Sequence, residues 1–231
     1  MQLPFLCAGA AKGIFTALAA TFTAQTGVEP RGSFGAVGSM KEKFLAGEPC
    51  DLIILTAALI DSLEAAGDVV PGTASPLGRV RTGIAARAGD PLPAIADAAA
   101  LSSALAAAAA IYLPDPQRAT AGIHFVDVLK RLDLYAAAAP RLRVYPSGAV
   151  AMRELADAPE SGCLGCTQIS EILYTSGVTL VGPLPPGFDL ATVYAVAVST
   201  RARQPELARQ FAMLLSGPGS RSLRTEGGFE V

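Results

Sequence analysis

The apolar positions of the chain follow two alternating rhythms. "LPFLCAG" (residues 3–9) is a nearly unbroken apolar run, followed by Ile14, Leu18 and Phe22 at i, i+4 and i+8. The run predicts a strand and the spacing a helix, which Gly27 in "TGV" is placed to close. A second strand is expected around Val28 to Phe34, then a helix with Met40 and Phe44 on one face. "CDLIILT" (50–56) is fully apolar through its centre, the pattern of a parallel strand covered on both sides. A helix from about Ala57 carries Leu59, Ile60 and Leu63 and ends at Gly67.

The texture then changes. "GRVRTGIAARAGDPLPAI" (78–95) reads as a long strand leaving a first unit. An Ala-rich helix (Asp97 to Ala110), the strand "AIYLPDP" and the helix "AGIHFVDVLKRLDL" follow, with Phe125, Val128, Leu129 and Leu132 facing inward. "RLRVYP" and "GCLGCTQIS" are expected as strands around a helix containing Met152 and Leu155. "VTLVGPLPPGF" and "LATVYAVAVST" are strands able to carry the chain back. A last helix, Pro205 to Leu215, sets Leu207, Phe211 and Leu214 at helical spacing. Strands alternate with helices throughout, so the class is α/β with mainly parallel sheets flanked by helices.

Composition narrows the functions. Of 231 residues, 51% are hydrophobic and 16% charged, enough to bury a large core. A net charge of −2 gives no reason to expect a nucleic-acid partner. The most apolar stretch, "ALAAAAAIYL" (104–113), is too short to span a bilayer, so membrane insertion is not expected. "MQLPFLCAGAAKG" has no basic segment ahead of its apolar run. As written the chain reads as cytoplasmic, and as periplasmic if a leader has been removed. Cys7, Cys50, Cys163 and Cys166 lie in apolar, strand-like surroundings that suit small buried hydrophobes. "CLGC" also has the spacing of a redox pair or half a zinc site, but one histidine in the whole chain limits further ligands. No metal and no cofactor is expected. Nothing resembles a nucleophile–base triad, a P-loop or a GxGxxG turn, so hydrolase, kinase and dehydrogenase readings are poor.

"GSFGAVG" (32–38) places three glycines in seven residues ahead of a helix. Such a turn presents bare backbone N–H groups and the positive end of the helix dipole, an anion cradle needing few side chains. The plainer alternative is a tight strand-to-helix connection.

Several segments together resemble the molybdate-binding (ModA-like) branch of the type II periplasmic solute-binding proteins. They are "AGAAKGIFTALAATFTAQTGV", "GSFGAVGSMKEKFLAGEPCDLIILTAALIDSL", "LPDPQRATAGIHFVDVLKRL", "GCLGCTQISEIL", "GVTLVGPLPP" and "QPELARQFAMLLSGPGSRSLRTEGGFE". The resemblance implies two lobes, residues 1–80 with 187–231 and residues 81–186, joined by two crossing strands and closing on a small anion in the cleft between them. An ABC transporter permease is the implied partner if the chain is exported. The binding positions it implies are Ala10, Ala11 and Lys12; Gly35, Ala36, Val37, Gly38 and Ser39; Thr56; Arg118, Thr120, Ala121 and Gly122; Ser147 with Gly148; and Thr167 and Gln168.

The departures point to a different ligand. Serine hydroxyls that molybdate binders supply fall here near Ala10 or Ala11 and near Ala36 or Val37, and a second-lobe tyrosine falls at Gln168. A fully oxygenated tetrahedral anion wants many convergent donors, so a partly apolar organic carboxylate is expected in place of molybdate. Proteins similar to this family also include aconitate isomerases. On that alternative His124 or Glu171 would move the proton while Lys12, Arg118 and the helix termini hold a small unsaturated polycarboxylate. The plainer readings are a partly buried histidine on a helix flank for His124 and a solvated helix-start lysine for Lys12.

Overall fold

The first half of the chain winds strand by strand into helices. In the computed structural model, which describes residues 2–231, β1 (Gln2–Ala8) passes through one 3-10 turn into α1 (Lys12–Thr26). β2 (Glu29–Gly35) leads to α2 (Val37–Leu45), and β3 (Leu52–Thr56) to α3 (Ala57–Ala65). α1 buries Ile14, Phe15 and Phe22, and its last turn closes on Gly27, whose N–H meets the Thr23 carbonyl at 2.8 Å. β4 (Ser75–Arg87) is the long strand expected from "GRVRTGIAAR".

α4 (Ala98–Ala107) starts from Asp97, whose side chain accepts from Ala100 N at 2.9 Å. β5 (Ile111–Pro114), α5 (Thr120–Arg131), the short α6 (Tyr135–Ala138), β6 (Leu142–Tyr145) and α7 (Gly148–Ala156) follow. Next come β7 (Leu164–Gln168), α8 (Ile169–Tyr174), β8 (Val178–Pro183), β9 (Ala191–Val198), α9 (Pro205–Ser216) and α10 (Arg221–Glu226). The chain forms two units, one ending at Val80 and resuming at Thr192–Val231, the other Arg81–Ala191. It passes between them within β4 and at the start of β9. The sequence boundary at 186/187 falls inside the "PLPPGF" turn, which α5 holds through His124 and Arg131.

In unit 1, β1 pairs in parallel with β2 and β3, and β9 pairs antiparallel with β3. A cluster of phenylalanines joins the helices to this sheet. Phe15 lies 4.1 Å from Phe5 and 4.9 Å from Phe211, and Phe22 stacks on Phe211 at 4.5 Å between ring centroids. Each such pair adds roughly 0.5–1.5 kcal/mol beyond its buried area. On α9 the buried face is Ala208, Phe211, Ala212 and Leu215, one position round from the stripe of Leu207 and Leu214. Two alanines allow a closer approach than leucines would.

In unit 2, β5 pairs in parallel with β6 and β7, while β4 pairs antiparallel with β7 and β8. Alternate residues feed opposite faces. Ile84, Ala86, Leu164 and Cys166 pack with Leu101 of α4 and Phe125, Val128 and Leu129 of α5. Ala85 and Cys163 pack with Met152 and Leu155 of α7. The two cysteines of "CLGC" therefore sit on opposite faces of one sheet. All four cysteines are buried and free.

Candidate functional site

Three helices of unit 1 begin at one sheet edge. β2, β1 and β3 run parallel, with Ala8 level with Gly35 and Cys7 level with Ile54. α2 and α3 start directly beyond their strand ends, and α1 after the single 3-10 turn of Gly9–Ala11. The residues before these helices, Ala11, Ala36 and Thr56, accept no hydrogen bond from the first turn through a side chain. Alanine cannot do so. Helix starts leave N–H groups in need of partners and carry the positive dipole end. Here Ala10, Ala11, Ala36 and Val37 are buried as well. This edge, at the carboxyl ends of parallel strands, is where α/β sheets take ligands, and the donors suit an anion. Gly35, Gly38, Ser39 and Thr56 line the same starts, half-buried. Lys12 brings a cation to it, with Nζ 5.6 Å from the centre of the Phe34 ring near the end of β2.

Unit 2 repeats the arrangement with different terminations. Thr120, Ala121 and Gly122 form the first turn of α5, and Ala119 before them offers no side-chain cap. Arg118 is exposed and pairs with Asp115 at 3.5 Å. α7 is closed from within. Ser147 Oγ accepts from Val150 N at 3.4 Å, and the buried Glu171 carboxylate accepts from Ala149 N at 3.2 Å and from Thr167 Oγ1 at 2.5 Å. Thr167, Gln168 and Glu171 are all buried at the end of β7. The structure thus uses Glu171 to cap a helix.

His124 is committed in a similar way. Its Nε2 lies 2.7 Å from the Phe188 carbonyl, which can only accept, so Nε2 carries the proton. Nδ1 is left as the ring's basic atom. Seven residues along α5, Arg131 donates to the Gly187 carbonyl, and its guanidinium lies 4.6 Å from the centre of the Phe188 ring. The two side chains staple the turn before β9 to α5. His124 sits half-buried on the helix flank.

Burial raises the thiols. Cys50 is pushed up to about 12, and Cys7 and Cys166 also lie well above the usual thiol value, mainly through loss of hydration. A groove of about 570 Å³ in unit 2, lined by Pro93, Ile95, Leu184, Pro185, Arg81 and Asp189, uses none of the expected positions. Sequence reasoning missed Thr82 of β4 and Ser170 of α8. Both are buried, and their hydroxyls have no hydrogen-bond partner among the described residues. For Thr82 the signal was a lone threonine at the head of the apolar stretch that follows Arg81.

A family model described as bacterial extracellular solute-binding protein matches residues 3–230. The chain is 27% identical over 225 residues to an aconitate isomerase from a Pseudomonas species, covering 93% of this chain and 82% of that protein. Its fold matches the periplasmic molybdate-binding protein of Azotobacter vinelandii with a TM-score of 0.81 at 21% identity, over 99% of each chain. The sulfate-binding protein SubI of Mycobacterium tuberculosis H37Rv gives a TM-score of 0.74 at 18% identity, over 99% of this chain and 86% of that one. At these identities the structural likeness carries the fold alone.

Proposed function

The chain belongs to the bacterial extracellular solute-binding protein family, and from that premise we propose that its solute is a small anion, an organic carboxylate in place of molybdate. One observation carries the proposal: three uncapped helix starts of unit 1 meet one sheet edge, with alanine before two of them. Main-chain N–H groups suit a carboxylate's two oxygens. The buried methyl groups of Ala10, Ala11, Ala36 and Val37 suit an apolar body and supply no hydroxyl for further oxygens. An ABC transporter permease is the partner we propose for delivery.

A second reading is favoured by the aconitate isomerase relative. On it, the chain moves a double bond in a small unsaturated polycarboxylate. That chemistry needs a positioned proton carrier. His124 Nε2 donates to a carbonyl and Glu171 caps α7, which supports binding over turnover.

The test is thermal unfolding with molybdate, tungstate, sulfate, phosphate and mono-, di- and tricarboxylates, including both aconitate isomers. A ligand at about 100 times its Kd stabilises by roughly 2.7 kcal/mol. Stabilisation by carboxylates without isomer conversion by NMR supports the proposal. Stabilisation by molybdate alone overturns the carboxylate assignment, and conversion of one aconitate isomer to the other makes the chain an enzyme.

A further inference from the structure

Thr82 is fully buried in β4, and its hydroxyl is unpaired. Its main chain is satisfied: the N–H meets Leu190 O at 2.9 Å, and the carbonyl accepts from Leu184 N at 3.1 Å. Only the side chain is left over. A buried hydroxyl without a partner is rare in native structures and calls for an explanation.

Its position supplies one. Thr82 faces Gln168 across the antiparallel β4–β7 ladder, so the two side chains share a face of the sheet. Two residues further along β4 and two back along β7, Ile84 and Cys166 share that face and pack against Phe125, Val128 and Leu129 of α5. Thr82 and Gln168 thus lie on the α5 face, where β7 ends. The parallel β5–β7 register pairs Tyr112 with Gly165, so Asp115, where the chain turns toward α5, is level with Gln168. The first turn of α5 presses onto that point: a Cβ on Gly122 would lie 2.3 Å from Pro114 O and 2.6 Å from Asp115 O. α5 has twelve residues and no side-chain cap. An unpaired hydroxyl, a buried amide and an uncapped helix start therefore collect in one place.

We infer that Thr82 is a ligand-contacting residue, whose hydroxyl donates to an oxygen of the anionic solute at the start of α5. The inference rests on the small-anion reading above. The hydroxyl has one proton to give and no hydrogen-bond partner among the described residues. The helix start meets the negative charge, so a neutral donor beside it suffices.

The test uses Thr82→Val and Thr82→Ser in the full chain. Unfolding temperature is measured without ligand, and affinity by calorimetric titration with trans-aconitate, sulfate and molybdate. For whichever probe binds the wild type, Thr82→Val is expected to bind about tenfold more weakly or worse, the loss of one hydrogen bond to a charged group. Its unfolding temperature is expected to hold or rise, because a methyl replaces an unpaired hydroxyl. Thr82→Ser is expected to keep the affinity. Equal affinity in wild type and Thr82→Val overturns the inference alone and leaves the small-anion reading standing. So does a Thr82→Val protein that loses stability but not affinity. Failure of the wild type to bind any of the three probes overturns both.

Discussion

The Glu171 carboxylate occupies the space that any side chain on Gly148 would need. A Cβ there would lie 2.0 Å from Glu171 Oε2 and 2.0 Å from Thr167 Oγ1. The chain has placed its own negative charge at the start of α7, where the helix dipole favours it. Gly148→Ala is expected to destabilise by about 1–3 kcal/mol through overpacking. Glu171→Gln is expected to cost a similar ~1–3 kcal/mol by weakening a charged cap. Urea unfolding measures both, and full stability in either variant would remove Glu171 from its capping role.

The three helix starts of unit 1 contrast with α7 in taking no side-chain cap from the residue before them. Ala36→Asp would supply one to α2. The new carboxylate is expected to cap the helix and stabilise the ligand-free protein by about 0.5–2 kcal/mol. It is expected at the same time to reduce anion affinity more than tenfold, since the N–H groups are then taken. Thermal unfolding and calorimetry on one preparation read both effects.

His124 and Arg131 hold the turn before β9 to α5. His124→Ala is expected to lower stability by about 1 kcal/mol through the lost bond to Phe188 O. Anion affinity is expected to stay unchanged. Loss of an isomerase activity in this variant, with binding intact, would instead place Nδ1 in catalysis.

The buried thiols make stability fall in alkali. The unfolded chain releases thiol protons from about pH 8.5, while folded Cys50 holds its proton to about 12. The unfolded state therefore binds fewer protons in that window, and stability declines as pH rises through it. Cys50→Ala is expected to flatten the fall in Tm between about pH 8.5 and 11. Native protein is expected to resist iodoacetamide at neutral pH, with all four cysteines reacting once it is unfolded.

Asp90 works in the opposite direction. Arg87 Nη2 donates to it at 2.8 Å and Gly162 N at 3.1 Å, and the Arg87 bond holds its carboxyl below the usual carboxylate range. Its contribution is present above about pH 4 and is lost as pH falls through the lowered folded value. Asp90→Asn is expected to lower Tm at neutral pH, and the difference from wild type is expected to close toward about pH 2.

Much of this was legible in the residues. The unbroken apolar runs and the stripes at helical spacing marked nearly every strand and long helix, because a run such as 52–55 is buried on both faces and a stripe buries one. The glycine turn before α2 was legible as the place where a strand meets a helix start. Other features depend on partners far along the chain. His124 finds its acceptor at Phe188, and Thr82 is notable only because its hydroxyl has no partner among the described residues. The α9 stripe was read from its leucines, whereas the buried face turns on Ala208 and Ala212. The opposed faces of Cys163 and Cys166 follow from their odd spacing on a strand.

The stack of Phe22 on Phe211 has a consequence for synthesis. Unit 2 is one continuous stretch and can complete its core as soon as Ala191 has left the ribosome. Unit 1 cannot. Phe15 finds Phe5 early, but Phe22 waits for a partner ring made nearly two hundred residues later. During that interval the first helix presents uncovered aromatic surface, the kind of exposure on which nascent chains aggregate or recruit a chaperone.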